Sequence, residues 1–346
     1  MNKTLPHSVL LGLTSALLFA SPFFITAIGS FLSLISAAPL IAAGLRYGPG
    51  AAIMASMAGV LWLVMAVEVT IVAAYVVMDV LPALLVVGLA LTAGPVPQAA
   101  SGQAGGTQAQ GSMIPLQTGR VLAGLGMGAF GLLLLIGSLV GDGDLRGVVR
   151  DAVAETEALL QQMLGEDLGG EPIPEVKIPM ADWLPAMVLI MWISRALASA
   201  WLAVSIMGRR GLLNRPVPLF GELGDGTGSP PGKVVTLPNW YAGLFLGVCL
   251  AALIGPGNAG YLAANGAILL SVPLFVMGLA AVHVAVRDLP AKLPVLVGFY
   301  VLLFFGGGFG KAAVVFLGLV EVMLRRAGTK SGSNGSAPGD TGGNTP

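Results

Sequence analysis

The stretch that decides the fold is residues 184–211, LPAMVLIMWISRALASAWLAVSIMGRRG. Its length and apolar character are typical of a helix that crosses a lipid bilayer, since about 20 apolar residues span the hydrocarbon core. One residue departs from that pattern, because Arg195 lies near the middle of the run. An unpaired charge at the bilayer centre costs about 3 kcal/mol or more. The sequence must therefore provide a partner for Arg195 at the same depth.

The composition of the whole chain indicates an integral membrane protein. Of its 346 residues, 55% are hydrophobic and only 10% are charged, and its mean hydropathy is +0.87. A soluble domain carries about 25% charged residues. The single cysteine, Cys249, lies in an apolar run, which excludes a disulfide framework and a cysteine metal site. The predicted fold class is all-α, a polytopic bundle of about 8–10 transmembrane helices with one amphipathic helix outside the membrane.

Ten apolar segments divide the chain, and we expect the N-terminal one to be retained as a helix rather than removed as a signal peptide. The second, ninth and tenth are short for a span of about 20 residues, so the sequence leaves open whether they cross completely. The run over 50–93 is too long for one helix, and Glu68 marks the predicted turn within it. The segments lie at roughly 8–28, 30–45, 50–67, 69–93, 120–140, 183–207, 239–256, 261–286, 293–306 and 309–325.

Polar connections separate these segments into regions. Residues 94–118 carry no charge and are rich in Gly, Gln and Ala, which favours a flexible cytoplasmic linker. Residues 142–182 hold ten acidic and three basic residues, whereas 208–238 hold four basic and two acidic ones. The predicted regions are N-terminal membrane helices at 1–93, the linker at 94–118, a membrane helix at 119–141, an acidic outer segment at 142–182, C-terminal membrane helices at 183–326 with a cytoplasmic loop at 208–238, and a disordered tail at 327–346.

The distribution of Lys and Arg predicts the orientation of the chain. Short cytoplasmic loops of membrane proteins carry an excess of these residues. With ten crossings and the N-terminus inside, most basic residues fall on the cytoplasmic side and the acidic 142–182 segment falls outside. We therefore expect a multi-pass protein with both termini in the cytoplasm.

The acidic outer segment is predicted to contain an amphipathic helix of about six turns. Asp144 is the expected N-cap, and acidic residues cover the face opposite the apolar one. A connector lying on the membrane or on the bundle, a lid, and a partner-binding helix all fit this pattern. The apolar residues at helical spacing are Leu145, Val149, Ala152, Leu159, Leu160 and Met163.

Asp79 is the predicted partner of Arg195. In the ten-crossing arrangement both residues lie about 16–18 Å below the outer surface. A carboxylate and a guanidinium at one depth can satisfy each other through a bidentate contact. Asp79 also lies three residues before Pro82, which frees a carbonyl and favours a kink. The pair is either a structural clamp or the polar centre of a binding cavity, and the sequence leaves both alternatives open.

Four further polar residues are expected near the outer surface. They either form the rim of an outward-facing pocket or extend their polar ends into the membrane interface. These candidate rim residues are Glu68, Asn258, Asn265 and Lys311.

No catalytic or cofactor-binding motif is visible in the sequence. It contains no Walker motif for ATP and no HExxH pair, and its only two histidines are His7 and His283. A basic, aromatic-rich surface for nucleic acid is also missing. We therefore expect no enzymatic activity, no metal, no cofactor and no nucleic-acid partner. The expected partners are the lipid bilayer and other membrane proteins, and the sequence does not identify a small-molecule ligand.

Five stretches follow one another through the membrane portion of the chain: SVLLGLTSALLFASPFF, APLIAAGLRYGPGAA, TLPNWYAGLFLG, NGAILLSVPLFVMGLAAVHVAVR and LGLVEVMLRR. Together they resemble the YybS-like family of uncharacterised bacterial membrane proteins, which implies a location in the bacterial inner membrane. The likeness covers most of the membrane portion and leaves out the linker, the acidic segment and the tail. At Glu321 the family pattern would have Asp.

This family is distantly similar to the substrate-binding components of energy-coupling-factor vitamin transporters, which capture a solute outside the cell and use separate ATPases. The resemblance implies a solute-binding transporter component that works with an ATPase module and has no ATPase of its own. It also implies that Gly12, Ala16 and Ala20, spaced four residues apart, form the face that docks on a partner. The alternative is a non-transport membrane scaffold or assembly factor that holds protein partners.

Overall fold

A computed structural model describes residues 4–91, 118–140, 144–167, 181–212, 237–287 and 289–331 of the chain. These residues form an all-α bundle, and no strand occurs among them. The helices are α1 (Thr4–Ala20), α2 (Thr26–Ser33), α3 (Ala38–Tyr47), α4 (Pro49–Ala66), α5 (Val69–Tyr75), α6 (Leu81–Leu91), α7 (Thr118–Leu139), α8 (Leu145–Asp167), α9 (Leu184–Arg209), α10 (Asn239–Ile254), α11 (Gly257–Val286), α12 (Lys292–Phe305) and α13 (Gly307–Ser331).

The apolar helices are long enough to make this a multi-pass membrane protein. Within the described residues, eight helical runs have the length and apolar composition of a membrane span, and two shorter apolar helices, α10 and α12, accompany them. The ten apolar segments of the sequence therefore all appear as helices. The eight long runs are Thr4–Phe23, Thr26–Tyr47, Pro49–Ala66, Val69–Leu91, Thr118–Leu139, Leu184–Arg209, Gly257–Val286 and Gly307–Leu324.

The structure changes the predicted lengths of two segments. The second segment runs over Thr26–Tyr47 and the tenth over Gly307–Leu324, and both reach the length of a span. The ninth stays short, because α12 has 14 residues and extends only about 21 Å. The turn predicted at Glu68 is present, since Val67 and Glu68 have extended backbone between α4 and α5.

The N-terminal helices pack around α3. Helix α1 lies against α4, and α3 contacts α4, α6 and α9. Small residues allow the backbones to approach closely. A Cβ atom added at Gly12 would clash with the carbonyl oxygen of Ala55, so α1 and α4 are in direct backbone contact. The buried apolar side chains Leu40, Ile41 and Leu63 fill the space between these helices.

The C-terminal helices pack around α11, which contacts α7, α10 and α13. Close backbone contact recurs between α11 and α13, where a Cβ atom at Gly278 would clash with the Val314 carbonyl. Helices α7 and α9 contact helices of both halves, α6 and α3 on one side and α11 on the other. Helix α9, which carries Arg195, thus lies at the junction of the two halves.

Helix α8 has the predicted amphipathic character and length. Asp144 caps its start by accepting a hydrogen bond from the backbone N–H of Gly147 at 3.1 Å, as predicted. Leu145 is buried, whereas Leu159 and Met163 further along are 55% and 66% exposed. The first turns are therefore docked on the bundle, and the later turns keep their apolar side chains uncovered.

Some predicted regions lie largely outside the described residues. These are the linker at 94–118 except Thr118, most of the cytoplasmic loop at 208–238, the acidic residues at 168–180, and the tail beyond Ser331. Helix α13 continues to Ser331, so the tail region predicted to be disordered from residue 327 begins as helix.

Candidate functional site

Two membrane-spanning runs are interrupted within their length. The run Thr26–Tyr47 breaks at residues 34–37, where the backbone N–H of Ser36 bonds three residues back to the carbonyl of Ser33 at 3.3 Å. Pro39, at the start of α3, explains the break, because its ring cannot follow a regular helical turn. The run Val69–Leu91 contains a π-helical segment at Val76–Val80, which includes Asp79.

Pro82 accounts for a free carbonyl in the π-helical segment. In that segment the N–H of Leu81 bonds the carbonyl of Val76, five residues back. The next bond would need an N–H at residue 82, which proline lacks. The indole Nε1 of Trp192 instead donates to the Val77 carbonyl at 2.8 Å. A side chain of α9 thus replaces the missing backbone donor.

Helix α9 also supplies a donor for the free carbonyl at the break in the run Thr26–Tyr47. The N–H of Ala38 bonds the carbonyl of Ile35, which leaves the Leu34 carbonyl without its usual helical donor. The hydroxyl of Ser199 donates to that carbonyl at 3.4 Å. Trp192, Arg195 and Ser199 are spaced three and four residues apart, so they share one face of α9. We call this face the α9 polar stripe.

Arg195 of this stripe meets Asp79 and Ser36, and these three residues form the polar centre. The guanidinium Nη2 lies 2.9 Å from Asp79 Oδ1 and donates to Ser36 Oγ at 2.7 Å. The Ser36 hydroxyl lies 2.6 Å from Asp79 Oδ2 and 2.8 Å from the Ser33 carbonyl, and its single proton serves one of them at a time. The predicted contact between Asp79 and Arg195 is therefore present.

The contact differs from the predicted bidentate one. Nη2 approaches Asp79 closely enough for an ion pair, but Asp79 Oδ1 and Arg195 Nε have no hydrogen-bond partner among the described protein atoms. Asp79 is fully buried, whereas 13% of the Arg195 side chain stays accessible. The polar centre is thus neutral in total charge, and part of its hydrogen-bonding capacity is unused.

Aromatic and hydroxyl side chains surround the polar centre. The ring centroid of Phe19 lies 5.6 Å from the guanidinium carbon of Arg195, within the range of a cation–π contact. Phe19 also meets the ring of Tyr75 edge-on at 5.2 Å, and the Tyr75 hydroxyl donates to Ser15 Oγ at 3.0 Å. Helix α1 thereby covers one side of the polar centre.

The two asparagines among the candidate rim residues form hydrogen bonds with backbone groups at the beginning of helices. Asn265 is fully buried; its Oδ1 accepts from the N–H of Ala186 at 3.1 Å, and its Nδ2 donates to the Asp182 carbonyl at 3.1 Å. Asn258 Oδ1 accepts from the N–H of Arg146 at 3.3 Å. Both asparagines thus anchor the outer segment, Asn265 at the start of α9 and Asn258 at the start of α8.

Charged contacts complete this anchor. Arg146 Nε and Arg150 Nη2 lie 3.3 Å and 3.4 Å from Asp182 Oδ1. The remaining candidate rim residues, Glu68 and Lys311, are exposed. The four candidates therefore have different surroundings, and the buried contacts of Asn265 are those of a structural residue.

The predicted docking face is occupied within the chain. Gly12 contacts the backbone of Ala55, and Ala16 and Ala20 are fully buried. These small residues let α1 approach α4 closely, so they offer no surface to another protein. This corrects the expectation that Gly12, Ala16 and Ala20 dock on a partner.

Sequence reasoning identified Asp79 and Arg195 but missed the residues that join them to the interrupted helices. Neither Trp192 nor Ser36 was singled out from the sequence. Two signals were present in the sequence: the spacing of Trp192, Arg195 and Ser199, and the position of Ser36 shortly before Pro39.

The fold and the polar centre define a class of protein, a multi-pass helical membrane protein with a buried ion pair between interrupted helices. Comparison with known proteins finds no matching family model, no matching curated protein and no matching solved structure. Among the described residues, no group of His, Cys, Asp and Glu side chains has an arrangement that would hold a metal ion.

Proposed function

We propose that this protein is a solute-binding component of a membrane transporter and that the polar centre of Ser36, Asp79 and Arg195 is its binding site. The observation that carries the proposal is the meeting of two interrupted spans at one buried ion pair. In transporters, substrate sites lie near the bilayer midplane, where discontinuous helices expose backbone groups. Irregular backbone at membrane depth is tolerated where it is buried in protein or lines a cavity.

The unused hydrogen-bonding capacity favours a binding site over a pure clamp. A structural ion pair is stable when its remaining donors and acceptors are satisfied by neighbours. Here Asp79 Oδ1 has only its ion-pair contact to Nη2, and Arg195 Nε is buried without a hydrogen-bond partner among the described residues. Such orphaned atoms are uncommon unless another molecule meets them. A solute that bonds Arg195 Nε would remove part of that penalty.

Transport by this chain would need an energy source from elsewhere. The sequence contains no P-loop, so the proposal includes a separate ATPase partner, as the resemblance to energy-coupling-factor components implies. The buried row on α1 cannot be the docking face, so that partner would contact another surface. The proposal also places the chain in the bacterial inner membrane with both termini cytoplasmic, and gives it no catalytic activity of its own.

Small molecules that co-purify with the protein provide the test. The wild-type protein, reconstituted in lipid nanodiscs, is denatured, and the released metabolites are identified by mass spectrometry. We expect one metabolite in reproducible amount, which is lost in Arg195→Gln and changed in amount in Asp79→Asn. The matched control is Asp151→Asn, because Asp151 is exposed on α8 and the same charge is removed far from the polar centre.

A metabolite that is equally abundant in the wild type and in Arg195→Gln, or none in any preparation, would contradict the proposed function. The second candidate, a scaffold or assembly factor, has one observation in its favour, the exposed apolar residues Leu159 and Met163 on α8. Co-purification of a protein that is lost when Met163 is changed to Glu, with no metabolite bound, would favour that candidate.

A further inference from the structure

The guanidinium of Arg195 has one edge, formed by Nε and Nη2, that the described chain uses only in part. Its Nη2 contacts Asp79 and Ser36, while its Nε is without a hydrogen-bond partner. Nε and one Nη together present two parallel N–H groups, which is the fork that binds a carboxylate in two contacts. Arg195 keeps 13% of its side chain accessible, although its Nε is buried, whereas Asp79 is fully buried. A solute would therefore approach the pair from the side of Arg195.

The charge of the polar centre limits what can bind there. Arginine stays protonated in proteins, so the centre always holds one positive charge, which Asp79 balances in the structure. A cation added to the intact pair would leave an uncompensated positive charge in a water-poor interior, which is costly. A monoanion added beside Asp79 would leave a negative charge. Neutrality is kept if the anion arrives with one proton and that proton is taken up by Asp79.

We infer that the ligand of the polar centre is a small monocarboxylate, which replaces Asp79 on Arg195 while Asp79 takes up one proton. This inference rests on the proposed function and names the substrate class of the same site. No covalent bond changes: the guanidinium exchanges one carboxylate for another, and the proton comes from the aqueous phase. The ring of Phe19, 5.6 Å from the guanidinium carbon, offers an apolar contact for the body of the ligand.

Few other groups can influence this exchange. The charged or titratable side chains that act on Asp79 among the described residues are Arg195 from α9 and Tyr75 from α5. The Tyr75 hydroxyl is engaged with Ser15, and the remaining close polar neighbour of Asp79, Ser36, is a neutral hydroxyl. The proton that balances the ligand is therefore assigned to Asp79.

Propionate is a suitable probe, and propionamide is its neutral counterpart of nearly the same shape. Binding of each to the full-length protein in nanodiscs is measured by calorimetry in two buffers of different ionisation enthalpy, which counts the protons taken up. We expect the wild type to bind propionate with uptake of one proton and to bind propionamide poorly. Its affinity should rise about tenfold for each unit by which the pH falls, as long as Asp79 is charged in the free protein.

The variant Asp79→Asn separates the two parts of the inference. It removes the internal competitor, so propionate should bind about tenfold or more tightly, with no proton uptake and no pH dependence. The double variant Asp79→Asn with Arg195→Gln contains no buried charge to destabilise it and should bind no propionate. Asp151→Asn should behave as the wild type.

Several results would overturn the inference. They are absence of propionate binding to Asp79→Asn, equal binding of propionamide, or wild-type affinity that does not change with pH. A different outcome is that propionate fails to bind while a neutral or cationic metabolite co-purifies in an amount that changes when Asp79 is replaced. In that case the proposed function stands and only the substrate class is wrong. If neither propionate nor any metabolite binds, both proposals fail.

Discussion

Arg195 has three kinds of neighbour at the scale of single residues: the carboxylate of Asp79, the hydroxyl of Ser36 and the ring of Phe19. Its depth in the predicted span was enough to identify Asp79, because an arginine in lipid needs a counter-ion at its own level. Depth did not identify Ser36 or Trp192. Trp192 donates to the Val77 carbonyl, which is free because Pro82 interrupts the helix, and Ser36 meets the pair where its own run breaks before Pro39.

Replacing Trp192 by Phe tests this explanation of the free carbonyl. The change removes the only described side-chain donor to the Val77 carbonyl at a site that is 1% exposed. We expect the unfolding free energy to fall by about 1–3 kcal/mol, the cost of a buried carbonyl without a donor. Reversible unfolding in mixed micelles, followed by circular dichroism, measures it.

The control for that experiment lies on the same helix. Trp201 is 54% exposed, so Trp201→Phe should change the free energy of unfolding by no more than about 0.5 kcal/mol. Equal decreases in the free energy of unfolding for the two variants would show that the hydrogen bond to the Val77 carbonyl adds no stability beyond the packing of the indole ring.

At the scale of elements, glycine rows decide how closely the helices pack. The sequence contains many such rows, and by spacing alone those that pack within the chain cannot be told from those that face lipid. The structure distinguishes Gly12, whose Cβ position is filled by Ala55, from Gly243 on α10, where an added Cβ would meet nothing within 4 Å. The expectation of a docking face on α1 was wrong for this reason.

The variants Gly12→Val and Gly243→Val test that distinction. In Gly12→Val the side chain cannot fit between α1 and α4, so the two backbones must separate and the thermal midpoint in detergent should fall by several degrees or the protein should fail to accumulate. Gly243→Val should keep the wild-type midpoint, because the added methyl groups enter open space. A loss of stability confined to Gly243→Val would contradict the packing described here.

At the scale of the whole molecule, the position of α8 relative to α9 gives a topology that can be measured. Asp182, directly before α9, pairs with Arg146 and Arg150 of α8, so α8 lies at the end of the bundle where α9 begins. Helix α9 has 26 residues and extends about 39 Å, which carries Arg210 to the opposite end. Helix α8 and Arg210 are therefore expected on different sides of the membrane.

Labelling with a membrane-impermeant maleimide checks this arrangement. In a Cys249→Ala background, Glu155→Cys on α8 should be labelled in intact cells, and Arg210→Cys should be labelled only after the membrane is opened. The reverse pattern would invert the orientation that the basic loops predict while leaving the bundle unchanged. Labelling of both positions in intact cells would show that α9 does not cross the membrane.

The sequence by itself determined that this is a helical membrane protein, where its apolar helices lie, and that Asp79 and Arg195 share a depth. These properties follow from the free energy of transferring residues from water to lipid. That free energy depends on the depth of a residue along the membrane normal, and the order of residues in the chain sets this depth. Only the tertiary structure decided that Ser36 bridges the ion pair, that the α9 polar stripe completes two interrupted helices, and that the row on α1 is buried. Those features depend on which helices are lateral neighbours, and within a uniformly apolar bilayer hydropathy favours no neighbour over another.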